Sequence, residues 1–504
     1  AMRSSARFFI VSLGAAAALG VALYLLQRPK PGVAVDQLVV YCAAGLKPPV
    51  EEVARAYEQA GGPRVELQYG GRGALLSNLR VAARGDLFIA ADESYLDLAR
   101  SNHLVAEVIP LARMTPVIGV RQGNPKHIQS LKDLLRDDVK VALANPEAAA
   151  IGRTTRALLQ SAGLWDPVSA HVVVLKPTVN DLANDLKLGT ADASILWDAV
   201  VNQYPELETV SVPAGPAHAQ QVAVGVLTAS EHPTAALRFA RYLGARDRGL
   251  KVFEKDGYPP VVGDVWAEIP KVVLYSGGVN RIAIDETVNR FEAREGVQVT
   301  RVYNGCGILV AQIKSGQRPD VYLACDVTFL DQVNNLFGPS TELSETDIVL
   351  LVPKGNPKGL HTLSDLTAPG LKLGVANAQQ STLGDLTARL LRAQGIYEGV
   401  MANVRVQTPT ADLLVNDLRT GSLDAVVVYE ANTSQVRDSL EVIHLDLPGA
   451  KAIQPYAVGQ SSEYPRLMER LLSAIRTPES QQRYGDVGFR WLDRPGTAPT
   501  PNTP

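Results

Sequence analysis

Cysteine and histidine are scarce in this chain of 504 residues, at three and seven. Three cysteines, Cys42, Cys306 and Cys325, are too few for a disulfide scaffold or a Cys-rich zinc site. The histidines are scattered, with no H-E-x-x-H or comparable spacing, which argues against a histidine-built metal centre. Positive charge is not in excess: 49 Lys and Arg stand against 52 Asp and Glu, for a net charge of −3. Nucleic acid is therefore not an expected partner. No Ser/His/Asp or Cys/His arrangement is legible, and no carboxylate pair has diagnostic spacing, so neither an enzyme nor a cofactor is expected. What remains is an ordinary globular composition, 46% apolar and 20% charged, in a chain long enough for two large domains.

Long apolar runs are also rare, with one exception. Arg3 and Arg7 precede an uncharged run from Phe8 to Leu26, closed by Gln27-Arg28-Pro29-Lys30. Nineteen residues at about 1.5 Å rise nearly match a ~30 Å hydrocarbon core. The run predicts an uncleaved single-pass anchor over 8–26. Residues 1–7 would be cytoplasmic, 27–36 a linker, and the bulk would lie in the periplasm or outside. Gly32-Val33-Ala34 is the competing cleavage site, but it lies past a charged patch. The Pro-rich stretch 494–504 is expected to be disordered.

The body of the chain is a repeat. Arg72 and Cys306, Tyr41 and Tyr275, Asp86 and Asp320, and Asp92 and Asp326 are each 234 residues apart. Gly123-Asn124-Pro125-Lys126 returns as Gly355-Asn356-Pro357-Lys358, Asn145 as Asn377 and Asp192 as Asp424, each 232 apart. A near-constant shift means one fold of about 230 residues used twice. It places one domain over 37–268 and a second over 269–493, with the boundary near Glu268-Ile269-Pro270.

Each repeat opens with three strand–turn–helix units. In the first, Leu38–Tyr41 runs into Cys42-Ala43-Ala44-Gly45-Leu46, then a helix whose Val50, Val53, Ala54 and Tyr57 share a face. Arg64–Tyr69 runs into Gly70-Gly71-Arg72-Gly73, and Asp86–Ala91 into a helix opened by Asp92. A Gly-rich strand-to-helix turn leaves N–H groups free at a helix N-terminus, a small anion cradle. Parallel units bring three such turns to one sheet edge, where ligands of open α/β sheets bind. Residues 116–210 are expected to form a second lobe inserted into the first. The fold class is therefore α/β: two tandem bilobed domains after one N-terminal helix.

These motifs resemble the periplasmic molybdate-binding proteins of ABC importers, among the type II periplasmic binding proteins. Cys42-Ala43-Ala44-Gly45-Leu46 is similar to the family's A-A-A-S-L turn. Gly70 to Leu75 is similar to G-G-S-G-A-L, and Asp86 to Glu93 to D-V-F-I-S-A-D-E. The resemblance implies a solute-binding protein with two clefts for small oxyanions, delivered to an ABC permease or serving another membrane complex. It implies ligand contacts at Ala44, Gly45, Arg72, Ala91, Asn145, Thr178 and Trp197 in repeat one. In repeat two it implies Gly278, Asn280, Cys306, Cys325, Asn377, Thr382, Thr410 and Tyr429.

The chain departs from the family at its serines. They are Gly45 and Arg72 in repeat one, Val279 and Cys306 in repeat two. The family tyrosine is Trp197 in repeat one and Tyr429 in repeat two. Arg72 reads either as an anion-binding guanidinium or as a plug paired with Asp92 or Asp198. Cys306 and Cys325 end neighbouring strands. They read as a disulfide, a soft-metal pair, or two unrelated small residues. A non-transport scaffold and a thiol-based sensor stand as the alternatives to transport.

Overall fold

The computed structural model describes residues 35–70 and 84–493. The anchor 8–26, residues 27–34 of the linker, Arg72 and the tail 494–504 lie outside the described residues. Among those described, no helix is long and apolar enough to cross a membrane.

In repeat one the strand Gln37–Ala43 pairs in parallel with both Arg64–Gly70 and Leu87–Ala90. The strand Gln220–Leu227 returns antiparallel to Leu87–Ala90 and pairs with Val105–Met114, completing a five-stranded sheet. A second five-stranded sheet holds Pro116–Arg121, Val141–Ala144, Val174–Lys176, Ala193–Trp197 and Leu207–Val210. The inserted lobe therefore lies where the sequence puts it. Val50, Val53, Ala54 and Tyr57 are all buried on the helix Lys47–Gln59, whose prolines occupy the first turn. That placement costs little, because those N–H groups have no partner inside the helix.

Repeat two differs in one respect. Its strands form a single ten-stranded sheet, joined through the strand Thr341–Pro353. This strand pairs with Lys451–Val458 in one lobe and with Ala425–Tyr429 and Leu440–His444 in the other. Repeat two departs from repeat one here for a local reason. Repeat one has Pro116 at the position of Ile348. Proline has no N–H to continue a ladder, and the Thr115 N–H and C=O both bond to Asp198 instead. Ile348 donates its N–H to Ala450 at 2.8 Å, so the ladder runs on.

Ser130 leads into a 3-10 turn, Leu131–Leu135, and the helix after Arg246 begins at Gly249. The strand Val105–Met114 was not foreseen.

The two domains meet along the helices Pro233–Leu243, Arg281–Glu295 and Pro465–Ile475. Glu295 is fully buried and takes both neighbouring guanidinia: Arg470 Nε at 2.6 Å and Arg241 Nη1 at 3.2 Å. Arg294 forks onto Glu107 at 2.7 and 2.9 Å. Asp264 accepts from the N–H groups of Arg466 and Leu467, capping the second domain's helix from the first.

Candidate binding clefts

Many residues that reveal the repeat hold backbone. Asp86 accepts from Val39 N–H and the Ser230 hydroxyl, as Asp320 does from Val273 N–H and Ser462. Asn124 and Asn356 each close a turn through paired bonds to Ile128 and Leu360. Asn145 Oδ1 accepts from Glu147 N–H, and Asn377 Oδ1 from Gln379 and Gln380. Both asparagines hold a turn that the following helix packs on. A Cβ on Gly152 or Gly384 would collide with their carbonyls. Thr178 is likewise occupied, accepting from Asp181 N–H as the N-cap of Val179–Leu188. Trp197 is buried in the core, and Ala44 and Gly45 lie in the short 3-10 turn after the first strand. The Gly45 carbonyl accepts from the Tyr258 hydroxyl. Ala91 is half-buried, one residue before the helix-capping Asp92.

In repeat one the helices Lys47–Gln59 and Ala150–Ser161 both start at the carboxyl edges of parallel strands, and neither has a side-chain cap. In Ala150–Ser161 the first N–H groups remain available to an anion, whereas in Lys47–Gln59 the Lys47 N–H bonds to Ala44 and Pro48 and Pro49 have none to offer. Each start carries a cation. Lys47 lies over the Tyr69 ring, and Arg153 lies over the Tyr95 ring and 3.3 Å from Asp92, bridging the two lobes. Arg153 remains half-exposed. The sequence reading passed over Arg153, although the repeat shift carried the signal: 232 residues on stands Asp385.

In repeat two the lobes touch. Gly307 donates its N–H to the Gln380 carbonyl at 3.1 Å. A Cβ on Gly305 would meet the Gln380 and Pro409 carbonyls, and one on Gly307 the Gln379 carbonyl. Gly278 approaches the Thr410 methyl, and both line a cavity of about 590 Å³ with Arg281, Asp285, Tyr303 and Asn432. Asn280 is fully buried and donates to Ser276, Leu323 and Ala324, tying the first turn to the third strand.

Behind this seam lie Cys306, at the start of the helix Cys306–Lys314, and Cys325, after the strand Val321–Leu323. Both are buried, unbonded, and 2.8 Å apart at sulfur. The Cys325 N–H also donates to Cys306 Sγ at 3.1 Å, a bond that favours the thiolate of Cys306. Acidities follow that arrangement. Burial pushes Cys306 up, but its bonds with the Cys325 thiol and N–H bring it below an ordinary thiol. Cys325 is pushed well up, first by its bond to Cys306 and then by burial. The hydroxyls of Tyr322, Thr382 and Tyr429 are buried and reach no partner in good hydrogen-bond geometry among the described residues. Cys42, the third thiol, is buried alone, and burial raises it strongly.

One group among the described residues has metal-ligand spacing: Asp347, Glu430 and His444. Its carboxylates are already engaged, Asp347 by a two-pronged bond from Arg490 and Glu430 by Arg437.

Comparison with known proteins accounts for the repeat. The family profile of bacterial extracellular solute-binding proteins matches residues 38–259 and again 272–490. A protein of Haemophilus influenzae described as a binding protein is 27% identical over 224 residues, 44% of this chain and 91% of that one. The molybdate-binding protein ModA of Mycobacterium tuberculosis is 26% identical over 226 residues, 44% of this chain and 84% of its own. The periplasmic molybdate-binding protein of Azotobacter vinelandii superposes with a TM-score of 0.39 at 17% identity, over 44% of this chain and all of that one. These relatives are solute-binding proteins, not enzymes. The chain belongs to the bacterial extracellular solute-binding protein family and carries its domain twice in tandem.

Proposed function

We propose that this chain is a membrane-anchored extracytoplasmic binding protein that presents a small oxyanion to an ABC importer, and that repeat one holds the anion. The exchange of Arg153 for Asp385 carries this reading. The same helix start carries in the first repeat a guanidinium that reaches Asp92 of the facing lobe, and in the second a carboxylate that bonds Arg389 of its own helix. A cation at an uncapped N-terminus favours a bound anion, with charge-assisted hydrogen bonds of roughly 1.5–3 kcal/mol each. Molybdate and sulfate are the first ligands to try, because curated relatives are named for binding them. The apolar run 8–26 supports the anchor.

Titration calorimetry of the full chain against molybdate, tungstate, sulfate and phosphate tests the ligand. We expect one anion per chain, with binding at least tenfold weaker in Arg153→Gln and unchanged in Asp385→Asn. No heat with any of the four, or two equal sites per chain, would overturn it. A second reading, in which repeat two serves as a scaffold, is favoured by the seam that closes its cleft.

A further inference from the structure

Cys306 and Cys325 take no part in that anion site, yet they are packed against each other at the floor of the second cleft. We propose that they are a redox-active dithiol, oxidised to a disulfide by a small-molecule disulfide that enters when the lobes of repeat two part.

Geometry carries the proposal. The thiols follow Gln298–Asn304 and Val321–Leu323, the two strands that flank Lys271–Gly277 in the parallel sheet, and they meet at 2.8 Å across the end of that middle strand, with no hinge between them. A disulfide bond of about 2.05 Å needs the sulfurs to approach by under about 1 Å. Gly277 keeps the space open: a Cβ there would collide with Cys325 Sγ and stand 3.1 Å from Cys306 Sγ. Its φ of −57° suits any residue, so the glycine is there for room and not for backbone freedom. Two sulfurs in contact leave no space for a cation between them. No third Cys, His, Asp or Glu joins them in a metal-ligand cluster among the described residues.

Access is the lobe seam. It is backbone against backbone at Gly305 and Gly307, and parting the lobes draws Thr382 and Tyr429 of the facing lobe away from the thiols. Cys306 is the attacking thiol. It lies in the first turn of a helix and already accepts from an N–H, both of which favour its thiolate.

The exchange balances. The Cys306 thiolate attacks one sulfur of R–S–S–R, forms a mixed disulfide and expels RS⁻, which takes the proton Cys306 lost. The Cys325 thiolate then attacks the Cys306 sulfur and expels the second RS⁻, which takes the proton from Cys325. Two protein thiols are oxidised and R–S–S–R is reduced to two R–SH. Cys42 has no neighbouring thiol and remains reduced.

The test uses the full chain in oxidised and reduced glutathione at graded ratios. Samples are quenched in acid, alkylated under denaturing conditions and mapped by mass spectrometry. We expect a Cys306–Cys325 crosslinked peptide with Cys42 alkylated. Cys325→Ser should stop at a glutathione adduct on Cys306. Gly277→Ala should lower the crosslinked fraction at a given ratio at least tenfold while leaving circular dichroism unchanged. Both cysteines staying alkylatable at every ratio, or an adduct on Cys42 instead, would overturn the proposal. So would equal crosslinking in Gly277→Ala. None of these outcomes depends on what repeat one binds.

Discussion

At the scale of single residues, Glu295 is the most consequential buried charge. It lies between Arg241 and Arg470, each at least nine-tenths buried, so removing its charge strands two guanidinia. Breaking a buried pair by removing one partner typically costs about 3–5 kcal/mol. Glu295→Gln keeps the shape and loses the charge, and we expect a loss of that order in urea unfolding at pH 7. Burial alone would raise this carboxyl, but Arg470 first and then Arg241 hold it below the ordinary glutamate value. The sign follows from linkage. A carboxyl depressed in the folded state contributes stability that is fully present above the unfolded value of about 4.3. That stability is lost as pH falls toward the folded value. Unfolding midpoints should therefore drop below pH ~4.3 in the wild type, and less steeply in Glu295→Gln. Equal slopes would remove Glu295 from the account.

At the scale of elements, the strand Thr341–Pro353 makes the clearest prediction. Ile348→Pro reproduces the break of repeat one and deletes the bond to the Ala450 carbonyl. A lost buried hydrogen bond leaves an unpaired carbonyl and costs about 1–3 kcal/mol. We expect that loss in urea unfolding, with faster amide exchange on both flanks of residue 348. Unchanged exchange would show that the ladder does not stiffen the junction. Elements were legible in the sequence where a strand ran into a capped or Gly-rich turn, because such turns need particular residue types. Asp86, Asp92 and Asn124 could be matched to their copies because each holds a backbone N–H that few other side chains could reach. Val105–Met114 escaped because Pro110 and Glu107 break its alternation, and the structure accommodates the proline beside a register shift. Cys306 and Cys325 are close, as expected, but their strands are not neighbours: Lys271–Gly277 runs between them, and the sulfurs meet where Gly277 leaves room. Arg153 was not legible, because a cation in the first turn of a helix reads as solvated surface until the facing lobe is placed.

At the scale of the whole molecule, the two copies share a frame through Glu295, Asp264 and the Arg294–Glu107 fork. The frame predicts coupled unfolding. Wild type should give one thermal transition, and the double change Asp264→Ala, Arg294→Ala should resolve two, read by calorimetry. Asp264 caps the helix Pro465–Ile475 across the domain boundary, and losing an N-cap costs about 0.5–2 kcal/mol. Two transitions already present in the wild type would show that the frame couples nothing.

Pro116 and Ile348 also set the pace at which each copy can let something go. A cleft releases its contents no faster than it opens. Opening the first copy turns a junction where no ladder crosses. Opening the second must flex a strand bonded to neighbours in both lobes. On the proposed function, we expect a ligand held by the first copy to leave faster than anything enclosed by the second.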